Sequence, residues 1–156
     1  MTETILKMQK KVKRYLDKDR YDHTIGVMHT AGCLAMRYGA NLEQALTAGL
    51  LHDCAKCVPA DEKIKLCEKN HIEISDAEYK NPGLLHAKLG VFFARKKYGI
   101  ENEEILRSIE SHTTGRPNMS LLDKIIYIAD YIEPGRDVAP NLPEVRALAF
   151  VDIDAC

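Results

Sequence analysis

The segment 49–56, GLLHDCAK, places a histidine and an aspartate side by side at the end of an apolar run. Imidazole and carboxylate groups bind divalent transition metals, so His52 and Asp53 are candidate metal ligands. The alternative is an ordinary helix end that carries one polar pair beside small buried cysteines. This segment alone leaves both interpretations open.

Four further residues of the same chemical kind are spread along the chain: His23, His86, His112 and Asp130. Asp130 interrupts the apolar segment IIYIADYIEPGR, where an unpaired buried carboxylate would be costly, so a cation partner is expected. Together with His52 and Asp53, these residues suit one or two divalent ions such as iron, manganese or zinc. Two such ions can activate water and clamp phosphoryl oxygens, which is the chemistry of metal-assisted phosphate hydrolysis.

Other side chains near these residues are candidates for phosphate binding. Lys56 follows the His-Asp pair by about one helical turn, although a solvated helix-end lysine is an equally good interpretation. His112 precedes the hydroxyl-rich turn TTGR, whose backbone donors and Arg116 guanidinium would suit a phosphate. His29 and His71 have no motif around them and are interpreted as structural, and Asp123 as a helix-capping or supporting residue.

The five cysteines do not form a recognisable metal or disulfide pattern. Cys54 and Cys57 make one C-x-x-C pair, which is at most half of a zinc site, so we interpret both as buried space-filling residues. An odd number of cysteines at irregular spacing fits a reducing compartment.

The composition predicts one domain, residues 1–156, because a chain of 156 residues that is 46% hydrophobic can build one good core. A formal net charge of −1 gives no bulk field for nucleic acid. The apolar runs are shorter than the roughly 20 residues of a membrane span, and the N-terminus is a charged amphipathic segment. We therefore expect a cytoplasmic protein with no nucleic-acid or membrane partner.

The elements that must position these side chains are helices, because apolar residues recur at steps of three and four and no segment alternates with period two. The first two predicted helices meet near Asp19–Arg20, and the others cover 41–54, 60–70, 81–98, 101–112 and 120–132, with a short one begun by Ser75 or Asp76. Asn41 is predicted to cap the third helix, and Gly39 to end the second. This pattern predicts an all-α bundle, in which helix ends can converge on one cavity.

The series RYDHTIGV, LLHDCAK, LLHAKLG and SHTTGRPNMSLLDKIIYIADYIEPGR resembles the HD-domain metallohydrolase superfamily, and within it the YqeK-type symmetrical bis(5'-nucleosyl)-tetraphosphatases. The similarity extends from about Tyr15 to Phe150, and the last segment is its most specific element. It implies an HD-domain helical bundle that cleaves diadenosine tetraphosphate and related dinucleotides into two nucleoside diphosphates. It also implies a further helical segment beyond Cys156, and we expect that segment to be truncated or absent here. A homodimer is compatible with the resemblance.

The resemblance implies a dinuclear centre of two divalent ions, with iron expected first and manganese, cobalt or zinc as alternatives. The implied ligands are His23, His52, Asp53, His86, His112 and Asp130. Asp53 would bridge the ions, and Asp53 and Lys56 are the expected catalytic residues. The implied phosphate contacts are Arg20, Lys56, Thr113, Arg116 and Arg136. Two alternatives stay open: another HD-type phosphohydrolase, such as a nucleotidase or cyclic-dinucleotide phosphodiesterase, and a non-catalytic helical module that senses a metal or nucleotide.

Overall fold

The computed structural model describes residues 1–156 and shows that the protein is all-α. The helices are α1 (Glu3–Val12), α2 (Lys18–Tyr38), α3 (Leu42–Leu51), α4 (Ala60–Lys69), α5 (Asp76–Lys80), α6 (His86–Tyr98), α7 (Glu103–Ser111), α8 (Leu121–Ile132) and α9 (Leu142–Leu148). One 3-10 turn, Pro82–Leu85, precedes α6. None of the helices combines the length and apolar character that a membrane crossing needs.

Most helices begin at a residue whose side chain accepts a hydrogen bond from the first turn. Such caps satisfy backbone N–H groups that have no partner within the helix. They are Thr2, Asp17, Asn41, Ser75, Asn102 and Ser120. Gly39 ends α2 with a φ of 69°, where a residue without Cβ avoids strain. The predicted roles of Asn41 and Gly39 are confirmed.

Some helix boundaries differ from the prediction for local reasons. The helix expected from position 81 starts as the 3-10 turn, because Asn81 precedes a proline and keeps an extended φ of −133°. The α3 helix stops at Leu51, and the chain continues through tighter turns such as that between the Lys56 N–H and the Asp53 carbonyl, 2.9 Å apart. The α9 helix was not predicted at all.

The core is one continuous cluster of buried apolar side chains in which α2 packs closely against α3 and α8. Gly49 lies where α2 and α3 cross, and a Cβ built there would be 2.9 Å from the Met28 Cα and 3.3 Å from the Val27 carbonyl oxygen. Only glycine permits this approach of the two backbones. The crossing thereby sets the separation between the start of α2 and the end of α3.

Candidate metal centre

The six residues predicted as metal ligands lie together, although they come from five helices or helix ends. His23 is on α2, and His52 and Asp53 directly follow α3. His86 is the first residue of α6, His112 directly follows α7, and Asp130 lies in the last turns of α8. Helix ends therefore deliver most of the cluster.

Within this cluster the donor atoms are a few ångströms apart. His23 Nε2 is 3.0 Å from Asp130 Oδ1, and the Nε2 atoms of His86 and His112 are 3.2 and 3.5 Å from Asp53 Oδ1. His52 Nε2 is 3.5 Å from Asp53 Oδ2. Two sets have donor atoms that all lie within 4.8 Å of one another: His23, His52 and Asp130, and His52, Asp53 and His112.

Three of the four imidazoles are held by backbone carbonyls. Each Nδ1 lies 2.6–2.7 Å from the carbonyl oxygen three residues earlier, in the pairs His52–Gly49, His86–Gly83 and His112–Ile109. A carbonyl oxygen can only accept, so each Nδ1 carries a proton, and in the neutral form of each ring the lone pair of Nε2 faces the cluster. This tautomer is the one that a metal ligand requires.

His23 is held differently, by a residue that the sequence reasoning missed. Its Nδ1 is 3.0 Å from Glu133 Oε1, and the Glu133 carboxylate is almost completely buried. Glu133 directly follows α8 and precedes Pro134, and its position in the sequence indicates no functional role. No local signal connects two residues that are 110 positions apart.

The electrostatics of the cluster favour two ionised carboxylates beside imidazoles. Burial alone would raise the pKa of Asp53, but the surrounding imidazoles hold it well below its usual range. Burial likewise opposes ionisation of Asp130, yet the adjacent His23 imidazole lowers its pKa. Burial lowers the pKa of His112, whereas for His52 the neighbouring Asp53 outweighs burial and raises the pKa.

Three polar atoms of this cluster are buried without any hydrogen-bond partner: His23 Nε2, His52 Nε2 and Asp53 Oδ1. Buried polar atoms are rarely left unpaired, and those that are need an explanation such as an ion. Here they are lone-pair atoms that face one another across the cluster. Four imidazoles and two carboxylates match the donor preferences of divalent transition metals, so the residues fit metal binding.

Of the predicted phosphate contacts, four surround the cluster. Arg20 Nη1 lies 2.8 Å from Asp53 Oδ2, and Arg136 Nη2 lies 2.9 Å from Asp130 Oδ1. Lys56 Nζ is 3.4 Å from His86 Nε2. Thr113 Oγ1 lies 3.2 Å and 3.1 Å from the Nε2 atoms of His86 and His112, respectively. These cationic and hydroxyl groups lie close enough to the donor atoms to contact a phosphate bound at the cluster.

The fifth, Arg116, lies farther away and pairs with Asp123 Oδ2 at 2.5 Å. Asp123 is fully buried and forms a capping box with Ser120 at the start of α8, so its predicted capping role is confirmed. Arg116 and Thr113 line a cavity of about 390 Å³. A second cavity of about 540 Å³ is lined by Arg20, His23, Glu133 and Arg136, so it reaches the cluster at His23.

The cysteines are not part of this donor set. Cys54 is buried, and its thiol donates to the Gly90 carbonyl oxygen at 3.6 Å, as expected for a space-filling residue. The expectation for Cys57 is wrong, because this side chain is exposed and its thiol donates to Asp17 Oδ2 at 3.2 Å. It lies in the turns after α3, outside the helix that the sequence had predicted.

Comparisons with known proteins agree with this geometry. Residues 20–135 match the HD domain family. The chain is 46% identical over 143 residues to the symmetrical bis(5'-nucleosyl)-tetraphosphatase of Halalkalibacterium halodurans. This match covers 92% of this chain and 75% of that protein. The protein of the same description from Bacillus subtilis is 43% identical, with 92% of this chain and 76% of that protein covered.

A solved structure has the same fold. It is the crystal structure of a "predicted HD superfamily hydrolase involved in NAD metabolism" from Clostridium acetobutylicum, with a TM-score of 0.91 and 46% sequence identity. The match covers 96% of this chain and 78% of that one.

Proposed function

This chain belongs to the HD domain family, and we propose that it is a symmetrical bis(5'-nucleosyl)-tetraphosphatase. It hydrolyses diadenosine tetraphosphate and related dinucleoside polyphosphates into two nucleoside diphosphates. The observation that carries this proposal is the cluster of four imidazoles and two carboxylates, with unpaired buried donor atoms, in a chain 43–46% identical to proteins of that description.

The cofactor is a pair of divalent ions, with iron as the first expectation. The residues that hold them are His23, His52, Asp53, His86, His112 and Asp130. Divalent ions in such a site supply a nucleophile from water at neutral pH and neutralise negative charge on phosphate oxygens. No side-chain nucleophile is required for this reaction.

Asp53 is the residue suited to serve both metal positions. Its Oδ1 faces His86 and His112, at 3.2 and 3.5 Å, and its Oδ2 faces His52 and Arg20, at 3.5 and 2.8 Å. The two oxygens of one carboxylate therefore point toward different partners. Its depressed pKa keeps both oxygens available as acceptors.

The cationic side chains bind and orient the polyphosphate. Lys56 and Thr113 lie on the His86 and His112 side of the cluster, whereas Arg136 lies on the Asp130 side. Arg20 pairs with Asp53 between them. Contacts on both sides hold the polyphosphate of the substrate so that an internal phosphorus faces water. Such positioning is a large part of catalysis by sites of this kind.

Symmetric cleavage also requires room for a nucleoside on each side. Two cavities are available for this: one is lined by Thr113 and Arg116, and the other by Arg20 and Arg136. We assign one nucleoside diphosphate half of the substrate to each cavity, with Arg116 as a more distant contact.

The proposal is tested by incubating anaerobically purified, ferrous-loaded protein with diadenosine tetraphosphate and separating the nucleotides by chromatography. ADP as the only product supports the proposal. AMP with ATP would keep a metal-dependent hydrolase but refute symmetric cleavage. Absence of turnover in a folded, metal-loaded sample would refute the proposed activity, and a panel of mononucleotides and cyclic dinucleotides would then identify another phosphohydrolase.

A further inference from the structure

Glu133 is a buried carboxylate that reaches the candidate metal centre only through His23. Its side chain is 4% exposed, and a charge buried to this extent needs strong hydrogen-bond donors. It has two: His23 Nδ1 lies 3.0 Å from Oε1, and the Gly135 backbone N–H donates to Oε2 at 2.7 Å. Both carboxylate oxygens are thus occupied by defined partners.

The surrounding backbone is built to receive this side chain. A Cβ at Gly26, one turn after His23 on α2, would lie 2.3 Å from Glu133 Oε2, so only glycine leaves the carboxylate its place. Arg146 on α9 fixes the segment that carries it, donating to the carbonyl oxygens of Ile132, Glu133 and Arg136 at 3.0, 2.8 and 2.7 Å. The position of Glu133 is therefore determined from two sides.

We propose that Glu133 is a positioning residue for metal binding. It accepts a hydrogen bond from His23 Nδ1–H, fixes the ring orientation and, through its negative charge, makes Nε2 a better donor to a metal ion. Carboxylates behind a ligating histidine characteristically have this effect. The inference rests on the proposed function, because it requires a metal ion at His23.

The geometry makes the effect selective. His23 belongs to the donor set with His52 and Asp130, whereas the set of His52, Asp53 and His112 includes no residue that Glu133 contacts. The other three imidazoles are oriented by backbone carbonyls and do not depend on a carboxylate. Loss of the Glu133 charge should weaken the binding of one of the two ions and leave the affinity for the other unchanged.

The direct test is Glu133→Gln, which keeps the size of the side chain and removes its charge. Co²⁺ is titrated anaerobically into the metal-free wild type and variant, and binding is followed by visible absorption and by competition with a chromophoric chelator. We expect one of the two Co²⁺ affinities to fall by about 10- to 100-fold and the other to be retained. The absorption band of the weakened ion should also shift, which a purely structural role would not cause.

A second variant reaches Glu133 without changing any charged residue. Gly26→Ala should displace the carboxylate and weaken the same ion, whereas Gly32→Ala is the matched control on the same helix. The Cβ of that control would meet the end of the Leu46 side chain, at 2.9 Å, which can move aside. If Gly26 acts through Glu133, the double variant Gly26→Ala/Glu133→Gln should bind Co²⁺ no more weakly than Glu133→Gln alone.

The outcomes separate this inference from the proposed function. Two Co²⁺ ions bound with unchanged affinities by Glu133→Gln would overturn the positioning role and leave the metal site intact. An equal loss of both affinities would overturn the selectivity that the geometry predicts. Failure of the wild type to bind any divalent ion would overturn the proposed function and this inference together.

Discussion

Gly49→Ala perturbs the crossing of α2 and α3, on which the distance between His23 and His52 depends. The added Cβ would lie 2.9 Å from the Met28 Cα and 3.2 Å from its backbone nitrogen, so the contact is with backbone and the helices must separate. Such overpacking costs up to about 3 kcal/mol, and the gain in helix propensity returns about 1 kcal/mol. The net loss of about 2 kcal/mol corresponds to a fall in the melting temperature of about 4–8 °C for a domain of this size.

The measurement is thermal unfolding followed by circular dichroism, with hydrolysis of diadenosine tetraphosphate assayed below the transition. Because the helices move apart, we expect kcat to fall as well, by up to about 100-fold for a displacement near 1 Å. Gly32→Ala is the control at the same helix pair, since the nearest atoms that its Cβ meets are side-chain atoms of Leu46 and Leu42. A Gly49→Ala protein at least as stable as the wild type would refute the reasoning that this crossing requires glycine.

Three further predictions concern individual side chains. Asp53→Ala should abolish divalent-ion binding and turnover while the far-ultraviolet circular dichroism stays helical, and full activity in this variant would refute the assignment of the site. Lys56→Met should lower kcat by about 100-fold with both metal ions retained, as for the loss of one group that stabilises developing charge; an unchanged kcat would mean that Lys56 serves only as a solvated helix-end charge. Burial raises the pKa of Cys54 to about 12 and also raises that of Cys67, so both thiols stay protonated and shielded at about pH 8. A chromogenic disulfide should therefore titrate three thiols in the native protein and five after denaturation, the native three being Cys33, Cys57 and Cys156. Rapid reaction of all five in the native state would contradict the buried placement.

Local features of the fold were predictable because their causes lie within a few residues. Asn41 caps α3 through its own side chain, and Gly39 ends α2 through its own φ angle. The six clustered residues were also identifiable, because the short segments that carry them together resemble a known family. Their convergence, however, depends on how five helices pack, which no spacing along the chain reveals.

The features that escaped prediction depend on distant partners. The role of Glu133 depends on its contact with His23, which lies 110 positions earlier in the chain, so its neighbours in the sequence do not indicate it. The ion pair of Arg116 with Asp123 at the start of α8 was also not predicted, and the phosphate contact of Arg116 stays a prediction. The exposure of Cys57 follows from the early end of α3, and helix ends are the least predictable part of a helix.

The two ways of holding an imidazole differ in how exposed they are to point mutation. A backbone carbonyl is present whatever side chain the residue carries, so no single substitution at Gly83 or Ile109 can delete the group that orients His86 or His112. The group that orients His23 is a side chain, and one codon change removes it. Genetic robustness is therefore uneven across the cluster: His86 and His112 keep their orienting carbonyl groups whatever side chain the partner residue carries, whereas the orientation of His23 depends on the codon for Glu133.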